Sequence, residues 1–94
     1  MTTTTLRWYG HATLGVDTGG YKLLIDPYFT GNSLTSQDPD ELKADYILVT
    51  HGHADHVGDA VSIAKRTGAT IISNDEISRW FARQGLKTHA QHLG

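Results

Sequence analysis

A mixed α/β (α+β) fold is predicted by three features of this 94-residue chain. Two β-prone runs flank a Gly19-Gly20 pair, which is a hairpin signal. The segment "DYILVT" is a continuous apolar run of strand length, as expected of an interior strand covered on both faces. After it, stretches with helical spacing alternate with short apolar runs, the pattern of β, helix, β, helix, β.

The elements follow in order. Leu6 to Tyr9 and Ala12 to Asp17 read as short strands, and Tyr21 to Asp26 is the return strand of the hairpin. Pro27 stops that strand because proline has no N–H to give to a ladder, which leaves Asp26 at its mouth. Tyr28 to Asp45 is polar and aperiodic and is expected to be a surface loop with one helical turn near Pro39 to Leu42. Ala60, Val61, Ile63 and Ala64 share one helical face, Lys65 and Arg66 complement the last turn, and Gly68 is the stop. "ATIIS" is the next strand. In "SNDEISRWFARQG", Ser73 and Glu76 stand at capping-box spacing, with Ile77, Trp80 and Phe81 as the apolar stripe before Gly85. Leu86 to Thr88 starts one more strand, and no repeat of solenoid period is present.

Composition narrows the class of function. The chain is long enough for a single domain with a modest core, and 38% hydrophobic against 19% charged residues suits a folded protein. A net charge of -2 with scattered Lys and Arg leaves no basic stripe for a phosphate backbone, so a small-molecule substrate is expected and nucleic acid is not. Cysteine is absent, so a metal site must use His and carboxylate ligands. "MTTTTLRWYG" lacks the form of a secretory signal and no apolar run approaches a bilayer span, so a cytoplasmic chain with no membrane partner is expected.

The stretch "ILVTHGHADHVGDA" places three histidines and an aspartate within six positions at the end of an apolar strand. Neutral imidazole and carboxylate suit zinc, iron or manganese, and a tight loop after a rigid strand can aim several such ligands at one point. His51 and His53 can chelate a first ion while Asp55 and His56, at the start of the helix, face a second. Such a pair of ions activates a bridging water.

Here a family resemblance enters. "THGHADHVGD" resembles the metal-binding signature of the metallo-β-lactamase superfamily. "LRWYGHATLGVDTGGYKLLIDPYFTGN" resembles the start of its metal-dependent hydrolase branch near the ascorbate-phosphate lactonases, and "IAKRTGATIIS" resembles the segment after the motif. The similarity covers nearly the whole chain. It implies that residues 1–94 form a single domain, the N-terminal half of an αββα sandwich, with a mixed sheet and helices on one face. It also implies a divalent metal, zinc before manganese or iron, held by His51, His53, Asp55 and His56, with Asp55 also placed in the chemistry. The implied reaction is attack of metal-bound hydroxide on an ester, lactone, amide or phosphoester. Asp26 in "LLIDP" matches the aspartate that orients the metal loop by hydrogen bonding rather than ligating. His11 in "YGHA" matches a histidine near the pocket, although a lone His between strands is more often structural.

The family's later ligands, a histidine, a bridging aspartate and a final histidine, fall beyond "THAQHLG". His89 and His92, three apart, project to opposite faces of an extended strand and are not expected to replace them. A missing C-terminal half would leave one sheet face to be hidden, and a homodimer is the expected remedy. The competing expectation is a truncated, non-catalytic metal-binding half-domain that self-associates.

Overall fold

A computed structural model describes residues 3–52 and 57–91. The strands are β1 (Thr4–Gly10), β2 (Thr13–Thr18), β3 (Tyr21–Ile25), β4 (Tyr46–Leu48), β5 (Thr70–Ser73) and β6 (Thr88–Ala90). The helices are α1 (Ala60–Thr67) and α2 (Asp75–Ala82), and a 3-10 turn covers Pro39–Glu41. The six strands form one sheet in sequence order, antiparallel through β1, β2 and β3 and parallel from β3 to β6. The mixed sheet and paired helices are those the sequence predicts. No helix among the described residues is long and apolar enough to cross a membrane.

The hairpin forms because Gly19 and Gly20 both take positive φ, 57° and 84°, the conformation a two-residue turn needs to match strand twist. Gly68, at φ 76°, ends α1 in the left-handed conformation, and its N–H bonds the Ala64 carbonyl. The Arg66 side chain reaches from α1 to the Pro39 and Leu42 carbonyls and ties the 3-10 turn to that helix.

One expectation shifts by a residue. Asn74, not Ser73, caps α2, its side-chain oxygen accepting from Ile77 N at 2.8 Å. Ser73 is the last residue of β5, where its buried hydroxyl donates to the Val49 carbonyl at 2.6 Å. A strand-end hydroxyl facing a neighbouring strand has a better partner there than at the helix start.

Paired residues in a ladder project to the same side. Leu24, Ile47 and Ile71 are successive partners and all are buried, under a core that includes Ala60, Ile63 and Ala64 of α1 and Phe81 of α2. The opposite side carries two long rows. One runs Leu6, Val16, Leu23, Tyr46, Thr70; the other runs Trp8, Leu14, Ile25, Leu48, Ile72, His89. Among these, Leu6, Trp8 and Tyr46 are exposed and Leu48 is half-buried. The expectation that "DYILVT" is covered on both faces is therefore corrected: β4 is sealed on the Ile47 side and open on the Tyr46 and Leu48 side. An apolar run announces that both faces are apolar, and cannot say that both are covered. Trp80 departs in the same way from the stripe predicted for α2, standing exposed while Phe81 is buried.

Ile47 has no exposed surface and lies between its partners Leu24 and Ile71. Ile47→Ala should lower unfolding free energy by about 2–5 kcal/mol in urea titrations, the range for truncating a buried aliphatic side chain. A loss under about 1 kcal/mol would show that the core lies elsewhere.

Candidate metal centre

The strand directions gather the candidate residues at one edge. In a sheet whose β3, β4, β5 and β6 are parallel, the carboxyl ends of all four lie together, and the turn from β1 to β2 joins them because Leu14 pairs with Ile25. That edge collects His11, Asp26, His51 and Asn74, the side on which open parallel sheets bind ligands.

Asp26 follows β3 directly and is almost fully buried, 2% exposed. Its backbone N–H continues the ladder to the Leu48 carbonyl at 2.8 Å, and its φ is 47°. Few residues other than glycine accept that left-handed geometry, aspartate and asparagine best among them. The turn carries the carboxylate across to the end of β4, where Oδ1 accepts from Thr50 N at 2.7 Å and Oδ2 from the Thr50 hydroxyl at 2.5 Å.

His51 comes next, exposed, with Nδ1 2.8 Å from Thr50 Oγ1. A hydroxyl has one proton, and that of Thr50 is given to Asp26. The oxygen can therefore only accept from His51, so Nδ1 carries the hydrogen and the acceptor lone pair of the neutral ring lies on Nε2. The buried carboxylate thus sets the tautomer of the first histidine of the motif through one threonine.

The far flank of the histidine-rich stretch is pinned to the same segment. Asp59 accepts from Phe29 N and Thr30 N, both at 2.8 Å, and from the Thr30 hydroxyl at 2.7 Å, while its own N–H bonds the Pro27 carbonyl. Gly58 has φ 44°, and a Cβ there would lie 2.4 Å from the Pro27 oxygen. Only glycine allows that approach. Thr13, fully buried, bridges the Asp26 carbonyl at 2.7 Å and Tyr28 N at 3.1 Å, so β2 braces the same turn.

His53, Asp55, His56 and His92 lie outside the described residues. Among the described residues no three His, Asp or Glu side chains converge. His11 stands in the turn at φ 53°, its carbonyl accepting from Trp8 Nε1 and its ring 5.3 Å from that of Tyr28. His89 is exposed on β6, in one row with Ile72. Beside the site, a cleft of about 610 Å³ is lined by Gly52, Val57, Asn74, Ile77, Trp80 and Arg83, among others.

Thr50, Asp59, Gly58 and Thr13 were not singled out from the sequence. A signal existed for one of them: Asp59 stands at the N-cap position of α1 yet makes no side-chain cap bond, its oxygens being committed to Phe29 and Thr30. An aspartate at a helix start reads as a cap, and its partners thirty residues away are invisible without the fold.

The sequence profile of the Metallo-beta-lactamase superfamily matches residues 7–94. A UPF0173 metal-dependent hydrolase of Heliobacterium modesticaldum is 52% identical over 89 residues, 95% of this chain and 37% of the relative. A protein of the same name from Archaeoglobus fulgidus is 51% identical over 89 residues, 95% of this chain and 38% of its own. Among solved structures, Igni18, a metallo hydrolase from Ignicoccus hospitalis, superposes with a TM-score of 0.90 at 33% identity, over 97% of this chain and 40% of that one. The chain thus spans about two-fifths of the length of the proteins it matches.

Two outcomes are expected. Thr50→Val keeps the shape and removes the relay; it should cost about 1–3 kcal/mol of stability and move the His51 proton from Nδ1 toward Nε2, seen in long-range nitrogen–proton spectra. An unchanged tautomer would contradict the relay. Gly58→Ala should destabilise the chain by more than about 1 kcal/mol in thermal or urea unfolding, because the Pro27 backbone has to move.

Proposed function

The chain belongs to the metallo-beta-lactamase superfamily, and on that premise we propose that it carries the metal-binding part of a metal-dependent hydrolase. The observation that carries this reading is the relay from the buried Asp26 carboxylate through Thr50 to Nδ1 of His51, an exposed histidine at the carboxyl edge of the sheet. A surface histidine with no coordinating role has no need of a buried carboxylate to choose its tautomer.

In this reading His51, His53, Asp55 and His56 hold a divalent ion, zinc first, since imidazole and carboxylate donors also accept manganese and iron. When bound, such an ion lowers the pKa of water and polarises the bond to be broken. The remaining work belongs to the chain. Asp26 and Thr50 orient the first ligand from one flank, and Asp59 and Gly58 fix the other flank to residues 27–30. The cleft beside Gly52 receives the substrate: Ile77 and Trp80 are its large apolar members, and Arg83 and Glu76 are its charged ones. An ester, lactone, amide or phosphoester of a small molecule fits that combination, and the net charge of -2 does not favour a nucleic acid.

The second reading is a metal-binding half-domain that turns nothing over. Titration calorimetry with zinc and with manganese, paired with assays on generic ester and phosphodiester substrates, separates the two. Binding that is lost in the His51→Ala, His53→Ala double variant and weakened about 10–100-fold in Thr50→Val is the expected result. Binding together with metal-dependent turnover establishes the hydrolase, binding without turnover establishes the half-domain, and no binding of either metal removes both.

A further inference from the structure

The far end of the histidine-rich stretch is held by an aspartate that forgoes its local partner. Asp59 stands at the N-cap of α1, where a carboxylate ordinarily accepts from the first turn, yet it makes no such bond. It reaches instead across thirty positions, where Oδ2 accepts from Phe29 N and Thr30 N at 2.8 Å and Oδ1 from the Thr30 hydroxyl at 2.7 Å. The backbone makes the same seat: the Asp59 N–H bonds the Pro27 carbonyl at 2.7 Å, and Gly58 leaves no room there for a Cβ. At the near end Thr50 gives its amide and its hydroxyl to Asp26. Residues 51–57 are therefore strung between two anchors on the single run 26–30, and His56 is three positions from the second anchor.

We propose that Asp59 is a positioning residue for the metal ligands, and that it acts through the geometry of this three-pronged seat and not through its charge. The inference rests on the metal-binding reading of His51, His53, Asp55 and His56 given above. Two anchors on one run set the separation between the ends of the stretch, so Asp55 and His56 are placed relative to His51 before an ion arrives. A ligand set whose ends are already fixed has less freedom to lose on binding. Geometry suffices because all three donors are neutral and Asp59 forms no ion pair among the described residues. Asparagine can keep every prong: its carbonyl accepts the two amides, and its NH2 donates to the Thr30 oxygen, which accepts as readily as it donates. The coupling is also reciprocal. By whatever factor the seat strengthens metal binding, a bound metal holds the seat closed by the same factor.

The test measures zinc affinity of the full 94-residue chain by titration calorimetry and ligand geometry from the visible spectrum of its cobalt(II) form. Asp59→Ala should weaken zinc binding about 10–100-fold and alter the cobalt spectrum. Asp59→Asn should stay within about 3-fold, less than one hydrogen bond is worth, and keep the spectrum. Ile71→Val, a small loss from the buried core away from the seat, should leave both readings unchanged. Hydrogen exchange reads the reverse direction. Saturating zinc should slow the Phe29 and Thr30 amides by about the factor that Asp59→Ala costs, and more than the Lys22 amide, whose partner Asp45 lies at the other end of the sheet. If Asp59→Ala does not fold, Thr30→Val removes one prong and should weaken zinc about 3–10-fold. Zinc binding that Asp59→Ala leaves intact overturns the inference while the metal-binding reading stands. So does an Asp59→Asn loss as large as that of alanine, an equal loss in Ile71→Val, or exchange of Phe29 and Thr30 indifferent to zinc. An unsubstituted chain that binds neither zinc nor cobalt removes the metal-binding reading and this inference with it.

Discussion

The site depends on one buried carboxylate. Asp26 sits at 2% exposure at the end of β3, and an ion so placed is costly unless every oxygen has a donor. Thr50 gives each oxygen a donor, its amide to one and its hydroxyl to the other, and thereby ties the mouth of β3 to the mouth of β4. The positive φ of Asp26 is what turns the carboxylate across the gap, so local strain and long-range contact are two sides of one arrangement. The orientation of His51 follows from it.

Around that contact the chain behaves as a clamp on its own histidine-rich stretch. The stretch leaves the sheet at Thr50, which is held by Asp26, and returns at Gly58 and Asp59, which are held by Pro27, Phe29 and Thr30. Both anchors therefore belong to a single run of five residues, 26–30. Thr13 fastens that run to β2 from below, and Asn32 fastens its continuation by donating to the Tyr9 and Tyr28 carbonyls. Both ends of the stretch are thus held by hydrogen bonds that involve backbone groups, and not by packing alone.

The two faces of the sheet do different work. The Leu24, Ile47 and Ile71 side is closed by α1 and α2 and holds the fold together, with side chains such as Phe81 and Ile63 each stabilising it by about 1.5–3 kcal/mol through burial. The other side, where Leu6, Trp8 and Tyr46 stand exposed, carries no Asp, Glu, Lys or Arg in either of its two long rows.

Much of this was legible in the residues themselves. Strand and helix order, the Gly19-Gly20 turn, the Gly68 stop and the family signature in "THGHADHVGD" depend on local chemistry: φ preferences, periodicity and ligand type. Such properties are carried by neighbours in sequence. What only the tertiary structure decided are the long-range matters: that Asp26 meets Thr50 across 24 positions, that Asp59 bonds Phe29 instead of capping its helix, and that only one side of β4 is covered. Side-chain alternation states which residues share a face, but whether another layer lies against that face is fixed by the path of the whole chain.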